Sequence, residues 1–163
     1  MEKLIEKFLI PYLFITSQQP VLFQDFLKGN KMYNDGLLIN GDVLGFRLRL
    51  FRAYVVYIII VNIFLLLLTA LVHSVFKQFD LHILIISTMM ISWIIFAFFS
   101  IFKEFIIDKV SLMQIKKAWQ IHLPLFDFEK HSAQVARIYS QAQEEHIHKN
   151  DMQRYIIDNI ITK

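Results

Sequence analysis

The side chains of this chain that are best suited to chemistry lie near its C-terminus, in the stretch EEHIHKND. Imidazole and carboxylate groups are common zinc ligands, but two ligands on one helix share a face only at a spacing of three or four residues. If a helix continues through this stretch, His146 and His148 point about 200° apart. Only Glu144 and His148 have a usable spacing. The pattern therefore favours a solvated helix surface over a metal site, in a cluster made up of Glu144, Glu145, His146, His148 and Asp151.

A second pair of histidines, His73 and His82, flanks the four residues KQFD between two apolar runs. Histidines are unremarkable near a membrane interface, so a ligand-binding or pH-sensing role is the less favoured interpretation. With the cluster around His146, this pair keeps open a third interpretation, a membrane-bound enzyme acting on lipid.

Other catalytic and cofactor signatures are missing from the sequence. The chain has no Cys, which excludes disulfides, Cys-ligated zinc and a thiol nucleophile. It also lacks a phosphate-binding Gly loop, a Gly-x-Ser-x-Gly elbow and a His-Glu-x-x-His motif. Its net charge of +3 is spread over 17 basic and 14 acidic residues, unlike a nucleic-acid-binding patch. We expect no enzymatic activity, no cofactor, no metal and no nucleic-acid partner.

The composition instead indicates a membrane protein. Of the 163 residues, 56% are hydrophobic and 19% charged, and the mean hydropathy is +0.47. Residues 53–76 and 81–102 are two uncharged runs of 24 and 22 residues. A helix of 24 residues is about 36 Å long, enough to cross a hydrocarbon core of about 30 Å. The sequence predicts two transmembrane helices, joined by an external turn at residues 77–80.

Flanking charges predict the direction of both spans. Arg47, Arg49 and Arg52 precede the first span, Lys103 begins the basic stretch after the second, and only Lys77 lies between them. By the positive-inside rule, both termini are expected in the cytoplasm, with the spans in an inner or plasma membrane. So short a turn makes the spans antiparallel neighbours. The three arginines are interleaved with apolar residues and could also bind anionic headgroups, although an anchor that fixes topology is favoured.

Polar residues inside the spans are few and include no acid or base near the membrane centre, so no ion pathway is indicated. In a tight antiparallel hairpin, Asn62 is level with Ser92 and Trp93, and Thr69 is level with Ser87 and Thr88. These pairs are candidates for hydrogen bonds between the two helices. Trp93 lies in the middle of its span, which predicts packing against another protein helix rather than lipid.

The N-terminal segment, residues 1–52, is predicted to be cytoplasmic and interfacial. It holds all four glycines of the chain. We expect a short interfacial helix that bends or ends near Pro11. Asn40 and Gly41, between apolar triplets in LLINGDVL, indicate either a β-hairpin or a loop.

The C-terminal region, residues 103–163, is predicted to be helical and cytoplasmic. Helix should continue from residue 103 to His122 and end before Pro124, with partners on several sides. A second helix, with Asp127 as N-cap, carries a narrow apolar face that requires one other helix, and a last short helix must dock on something. The narrow face is formed by Phe128, Val135, Ile138, Tyr139, Ala142 and His146.

Together these patterns predict an all-α integral membrane protein, a two-span antiparallel helical hairpin with cytoplasmic flanking segments. Because no site chemistry is indicated, we expect a non-enzymatic scaffolding subunit of a multi-protein membrane assembly, of the secretion, conjugation or envelope type. Its partners would be membrane lipids and other membrane proteins or further copies of itself. The expected partner contacts are Trp93 and Asn62 in the spans and the narrow face in the cytoplasm. The alternative is a self-assembling pore or toxin-like effector, lined by the face of Asn62 and Thr69 and gated by the cytoplasmic helices.

Overall fold

A computed structural model describes residues 10–76 and 81–161 of the chain, without the side chains of residues 70–76 and 81–85. It is mostly helical, at 74%, with six helices in the described residues. In chain order the elements are α1 (Ile10–Leu13), β1 (Phe14–Thr16), α2 (Phe23–Asn34), β2 (Phe46–Leu48), α3 (Leu50–Phe76), α4 (Leu81–His122), α5 (Phe128–Glu144) and α6 (Met152–Ile161).

The chain divides into two compact units. Unit 1 combines Met1–Leu48 with Ile107–Lys163, and unit 2 is Arg49–Ile106. In unit 1, α5 packs against both α2 and α6. The last part of α4 contributes buried Val110, Ile115 and Trp119 to the same unit. The helix expected over residues 103–122 is therefore present, and within unit 1 its partners come from the chain itself.

The expectation of an all-α fold needs one correction, since β1 and β2 form a small antiparallel sheet. Phe14 pairs with Leu48 and Thr16 with Phe46, and the rings of Phe14 and Phe46 meet edge to face with centroids 5.6 Å apart. Strand signals only three residues long are too short to stand out in a sequence. These two strands form because each supplies the other's backbone hydrogen bonds and both bury a phenylalanine.

The segment around Asn40 and Gly41 is a loop and not a hairpin. The Gly41 carbonyl accepts hydrogen bonds from the amides of Leu44 and Phe46, at 3.1 and 2.9 Å. A Cβ at Gly41 would lie 2.5 Å from the Phe46 carbonyl oxygen, so this tight closure requires glycine. The loop leads into β2, whose partner strand is the distant β1 rather than the residues just before the turn.

Two helices of unit 1 end in the same way. At the end of α2, the Leu37 amide donates to the Met32 carbonyl oxygen and the Gly36 amide to that of Tyr33, with Gly36 at a φ of 66°. At the end of α5, the Ile147 amide donates to Ala142 and the His146 amide to Gln143, with His146 at a φ of 55°. Both are Schellman motifs, which place one left-handed residue just after the helix.

Candidate membrane and partner-contact site

Two helices are long and apolar enough to cross a membrane. The qualifying segments are Leu50–Thr69 in α3 and Ile86–His122 in α4, with mean hydropathies of 2.4 and 1.9. Only 11% and 6% of their most apolar windows are buried. A core helix of a soluble protein with such a composition would be buried on most sides. These helices instead direct their apolar side chains outward.

Unit 2 is joined by an aromatic cluster between α3 and α4. The Tyr57 hydroxyl donates to the Ile95 carbonyl oxygen at 2.7 Å, and the Tyr57 ring lies 5.4 and 5.3 Å from the rings of Phe99 and Phe102. The Tyr54 ring meets Phe99 edge to face at 5.3 Å. Such ring contacts stabilise a helix pair beyond the area that they bury.

Further along α3 and α4, low exposure identifies the row of side chains by which each helix faces the other. We call these the facing rows. In α3, between residues 59 and 69, only Val61 and Leu65 are not exposed. In α4, between residues 88 and 101, only Ile95 and Phe99 are not exposed. Both rows have the four-residue spacing of a single helix face. The other side chains in these two stretches are exposed, although the Phe96 ring also stacks on Tyr54 of α3 at 6.4 Å.

Among the described side chains of the spans, those of Asn62, Thr69 and Ser92 donate to carbonyl oxygens of their own helices. Asn62 Nδ2 donates to the Ile58 carbonyl oxygen, Thr69 Oγ1 to that of Leu65 and Ser92 Oγ to that of Thr88, each at 2.8 Å. The predicted interhelical bond between Asn62 and Ser92 is therefore not formed, whereas the pairing of Thr69 with Ser87 or Thr88 stays a prediction. Bonding to the carbonyl four residues back satisfies one donor of a short polar side chain within its own helix. All of these polar side chains are exposed.

Trp93, expected to contact a partner, is 80% exposed. It lies two residues before Ile95 and so points away from the α3 side of α4. Its contact with another protein helix remains a prediction.

The basic residues predicted to bind headgroups or fix topology differ in how far they are exposed. Arg47 in β2 lies 3.5 Å from Asp42 in a solvent-exposed ion pair, which contributes little stability. Arg49, Arg52 and Lys103 are each partly buried, so their aliphatic stems lie against the protein. Next to Arg52, the Phe51 side chain is largely exposed. Their headgroup-binding role remains a prediction.

The narrow face of α5 is filled from within the chain. Val135, Ile138, Tyr139 and Ala142 are buried, and the ring of half-buried Phe128 lies 5.2 Å from that of Trp119. This face was expected to require one other helix, whereas α5 packs against both α2 and α6, and its Phe128 contacts Trp119 of α4. As placed, these residues form the core of unit 1 and are not available to a separate protein. A partner of unit 1 has to contact its exposed side chains.

A buried polar pair locks α2 to α5. Asn30 Nδ2 donates to the Ser132 carbonyl oxygen at 2.9 Å, and Ser132 Oγ donates to Asn30 Oδ1 at 2.8 Å. Asn34 Nδ2 also donates to Ser132 Oγ at 2.9 Å. Sequence reasoning missed this pair. A usable signal was two asparagines four residues apart on a short helix, a spacing that places both on one face.

The surroundings of Tyr139, two helical turns after Ser132 on α5, shift the pKa of its hydroxyl. Burial raises the pKa of Tyr139, and the nearby Asp25 carboxylate raises it further. Tyr155 on α6 donates a 2.8 Å hydrogen bond to Glu145 Oε2, which raises the pKa of Tyr155. Both shifts keep the hydroxyls protonated and suited to structural hydrogen bonds.

The histidine cluster near the C-terminus does not lie on a continuous helix. α5 ends at Glu144, and the left-handed His146 turns the chain away. His146 therefore does not continue the apolar face of α5. Together with His148, Tyr139 and Lys149 it lines an open cleft of about 460 Å³. Within the described residues, no group of three or more His, Asp or Glu side chains is arranged to hold a metal ion. The side chains of His73 and His82 and the turn at residues 77–80 lie outside the described part.

No family model, curated protein or solved structure matches this chain. Unit 1 has a packed core with a buried hydrogen-bonded pair between α2 and α5, and unit 2 has an exposed apolar surface.

Proposed function

We propose that this protein is a non-enzymatic scaffolding subunit of a multi-protein membrane assembly, anchored by α3 and α4 as an antiparallel transmembrane hairpin. Both termini are in the cytoplasm, and the surrounding membrane is an inner or plasma membrane. The assembly is of the secretion, conjugation or envelope type, and the subunit contributes position and contact surfaces rather than chemistry.

One observation carries this proposal, the contrast in burial between the two units. Side chains of unit 1 such as Phe26, Ile115 and Val135 are fully buried, so this unit has a core of its own. The apolar windows of α3 and α4 are 11% and 6% buried and so leave most of their surface uncovered. Exposure of so large an apolar surface to water is unfavourable. Lipid chains and neighbouring membrane helices can cover it.

Charge and aromatic contacts support the hairpin. The contacts of Tyr57 with Ile95, Phe99 and Phe102 hold the beginning of α3 beside the middle of α4. Arg49 just before α3, Arg52 in its first turn and Lys103 in α4 then flank the uncharged stretches as the positive-inside rule requires. The self-contained core of unit 1 leaves its exposed surface free for cytoplasmic partners.

Purification of the tagged full-length protein in mild detergent, followed by identification of the proteins that come with it, tests this function. A scaffold brings a reproducible set of other membrane proteins. Trp93→Leu is expected to reduce their recovery, because Trp93 offers a large exposed surface at mid-span. Phe98→Leu is the matched control, since Phe98 is an exposed aromatic residue on a different side of the same helix. Recovery of no other membrane protein in any mild detergent would contradict the scaffold.

A pore is the second candidate, favoured by the exposed polar side chains of Asn62, Thr69 and Ser92. Several copies could place these side chains around a channel, since polar groups in a membrane face protein or water. Electrical recording of the purified oligomer in planar bilayers tests this candidate. Silence of the oligomer excludes it, and discrete conductance steps that change in Asn62→Leu would favour it over the scaffold.

A further inference from the structure

Three polar side chains of unit 2, those of Asn62, Thr69 and Ser92, lie on one side of the helix pair. Asn62 follows Val61 of the facing row by one residue, or about 100° of rotation, and Ser92 precedes Ile95 by three residues, about 60° from its row. Because the two helices of the proposed hairpin run in opposite directions, both rotations point to the same side. Thr69 is seven residues, or about two turns, after Asn62 and joins that side. We name Asn62, Thr69 and Ser92 the polar side.

Asn62 and Ser92 also lie at the same depth. Tyr57 contacts α4 between Ile95 and Phe102. Five residues further along α3, Asn62 is therefore level with about residues 90–97 of the antiparallel α4, a range that contains Ser92.

Hydrogen-bonding capacity remains on the polar side. Asn62 uses one amide proton for the Ile58 carbonyl, and Ser92 uses its hydroxyl proton for the Thr88 carbonyl. The other amide proton of Asn62 and the oxygen lone pairs of Ser92 point outward from exposed side chains. Lipid tails offer no hydrogen bonds, so exposure of these groups to the hydrocarbon core is unfavourable.

We propose that the polar side is the interface between two copies of this chain, related by a two-fold axis along the membrane normal. Asn62 Nδ2 of each copy donates to Ser92 Oγ of the other copy. A two-fold axis in this direction preserves depth, so a donor and an acceptor at equal depth on one side are complementary to themselves, and the contact forms twice. This self-complementarity favours a second copy over an unrelated helix. This inference rests on the proposed function, because it requires the hairpin. It identifies a second copy of the chain as one partner of that hairpin.

Disulfide formation between two single-cysteine variants maps this interface, since the native chain has no Cys. Thr69→Cys lies on the polar side, and Met89→Cys, three residues before Ser92, lies beside it at the depth of Thr69. Met90→Cys is the matched control, because Met89 and Met90 are 65% and 63% exposed but Met90 is about 100° further round the helix. The full-length variants are mixed in bilayers and oxidised. Each chain carries one cysteine, so a mixed disulfide reports contact between copies.

We expect the pair of Thr69→Cys and Met89→Cys to form the mixed dimer and the pair of Thr69→Cys and Met90→Cys to form little or none. Equal yields from both pairs, or none from either, would overturn the interface.

Asn62→Leu tests the hydrogen bond itself. Because the proposed contact occurs twice per dimer, we expect dimerisation measured by energy transfer between labelled copies in vesicles to weaken about tenfold or more. Ile60→Leu, on the opposite side of α3, should leave it unchanged. Unchanged association of Asn62→Leu would exclude Asn62 from the interface. Alkaline carbonate washing separates the two levels of the proposal. A chain released from the membrane contradicts the hairpin and the dimer together, whereas a chain retained as a monomer contradicts the dimer alone.

Discussion

The Tyr57 hydroxyl donates a hydrogen bond to the Ile95 carbonyl oxygen at 2.7 Å and so connects α3 with α4 directly. Asn62, Thr69 and Ser92, in contrast, each donate to their own helix. Among the described side chains, tyrosine and phenylalanine therefore connect the two apolar helices, and these three smaller polar residues are exposed.

Replacing Tyr57 with Phe should weaken this contact while preserving the aromatic cluster. We expect the free energy of unfolding in detergent to fall by about 0.5–1.5 kcal/mol, the usual contribution of one hydrogen bond. Tyr54→Phe is the control, since the contacts described for Tyr54 are made by its ring, with Phe96 and Phe99. Equal losses in the two variants would show that the bond to Ile95 contributes nothing specific.

Ser132→Ala should destabilise unit 1. The variant removes two bonds, the 2.8 Å bond from Ser132 Oγ to the buried Asn30 Oδ1 and the 2.9 Å bond that Asn34 Nδ2 donates to Ser132 Oγ. Asn30 Oδ1 keeps only the 3.3 Å bond from Asn34 Nδ2, and we expect the free energy of unfolding to fall by about 1–3 kcal/mol. Ser140→Ala on the same helix removes only a 3.2 Å bond to the Ala136 carbonyl from a half-buried position. Its expected effect is within about 0.5 kcal/mol. Chemical denaturation followed by the fluorescence of buried Trp119 measures both, and a Ser132→Ala variant as stable as Ser140→Ala would contradict the lock.

His146→Gly should stabilise the protein. A left-handed backbone at a φ of 55° is unfavourable for a residue with a Cβ and favourable for glycine, which occupies the corresponding position after α2. We expect a gain of about 0.5–1 kcal/mol in the free energy of unfolding. His148→Gly, two residues later and at a negative φ, should bring no gain. A loss of stability in His146→Gly would indicate that the imidazole makes a contact worth more than the strain.

Stability should decrease at alkaline pH, in part through Tyr139. Burial, then Asp25, raises the pKa of the folded-state Tyr139 above the ordinary value of 10.0. As the pH rises past 10, the unfolded chain loses this proton first, so the contribution of Tyr139 is complete below that pH and is lost as the pH approaches the raised value. Tyr139→Phe should flatten this alkaline decline, whereas Tyr33→Phe, at an exposed position, should not. Denaturation at a series of pH values measures the slope, and equal slopes for the two variants would contradict the assignment.

The sequence was informative where a pattern extends over many turns. Residues 53–76 and 81–102 have no charge to interrupt them, and α3 and α4 cover both runs. The N-cap at Asp127 is confirmed, since its side chain accepts from the Glu129 amide. Each of these features depends on residues close together in the chain, so neighbours in sequence were sufficient to identify it.

Features that depend on distant residues could not be predicted in this way. The apolar face of α5 indicated that this helix packs against another helix. Its periodicity could not reveal that the partners include both α6 and α2, which lies about a hundred residues earlier. The pairing of β1 with β2 brings residues 14–16 to residues 46–48, and their short length gives no alternation to detect. The spacing of His146 from Ala142 placed it on the face of α5, because no glycine marks the end of this helix. A histidine takes the left-handed position that glycine usually occupies.

Thiol labelling in intact cells tests the central claim most directly, since the native chain has no Cys. Leu67 is 62% exposed in the molecule, so Leu67→Cys would react readily if α3 were in water. We predict that it resists a membrane-impermeant maleimide even after the cells are opened. Gln141→Cys, at an exposed position of α5, should react only after opening, and Gln78→Cys in the predicted external turn should react before it. Rapid labelling of Leu67→Cys, or labelling of Gln141→Cys in sealed cells, would contradict the hairpin.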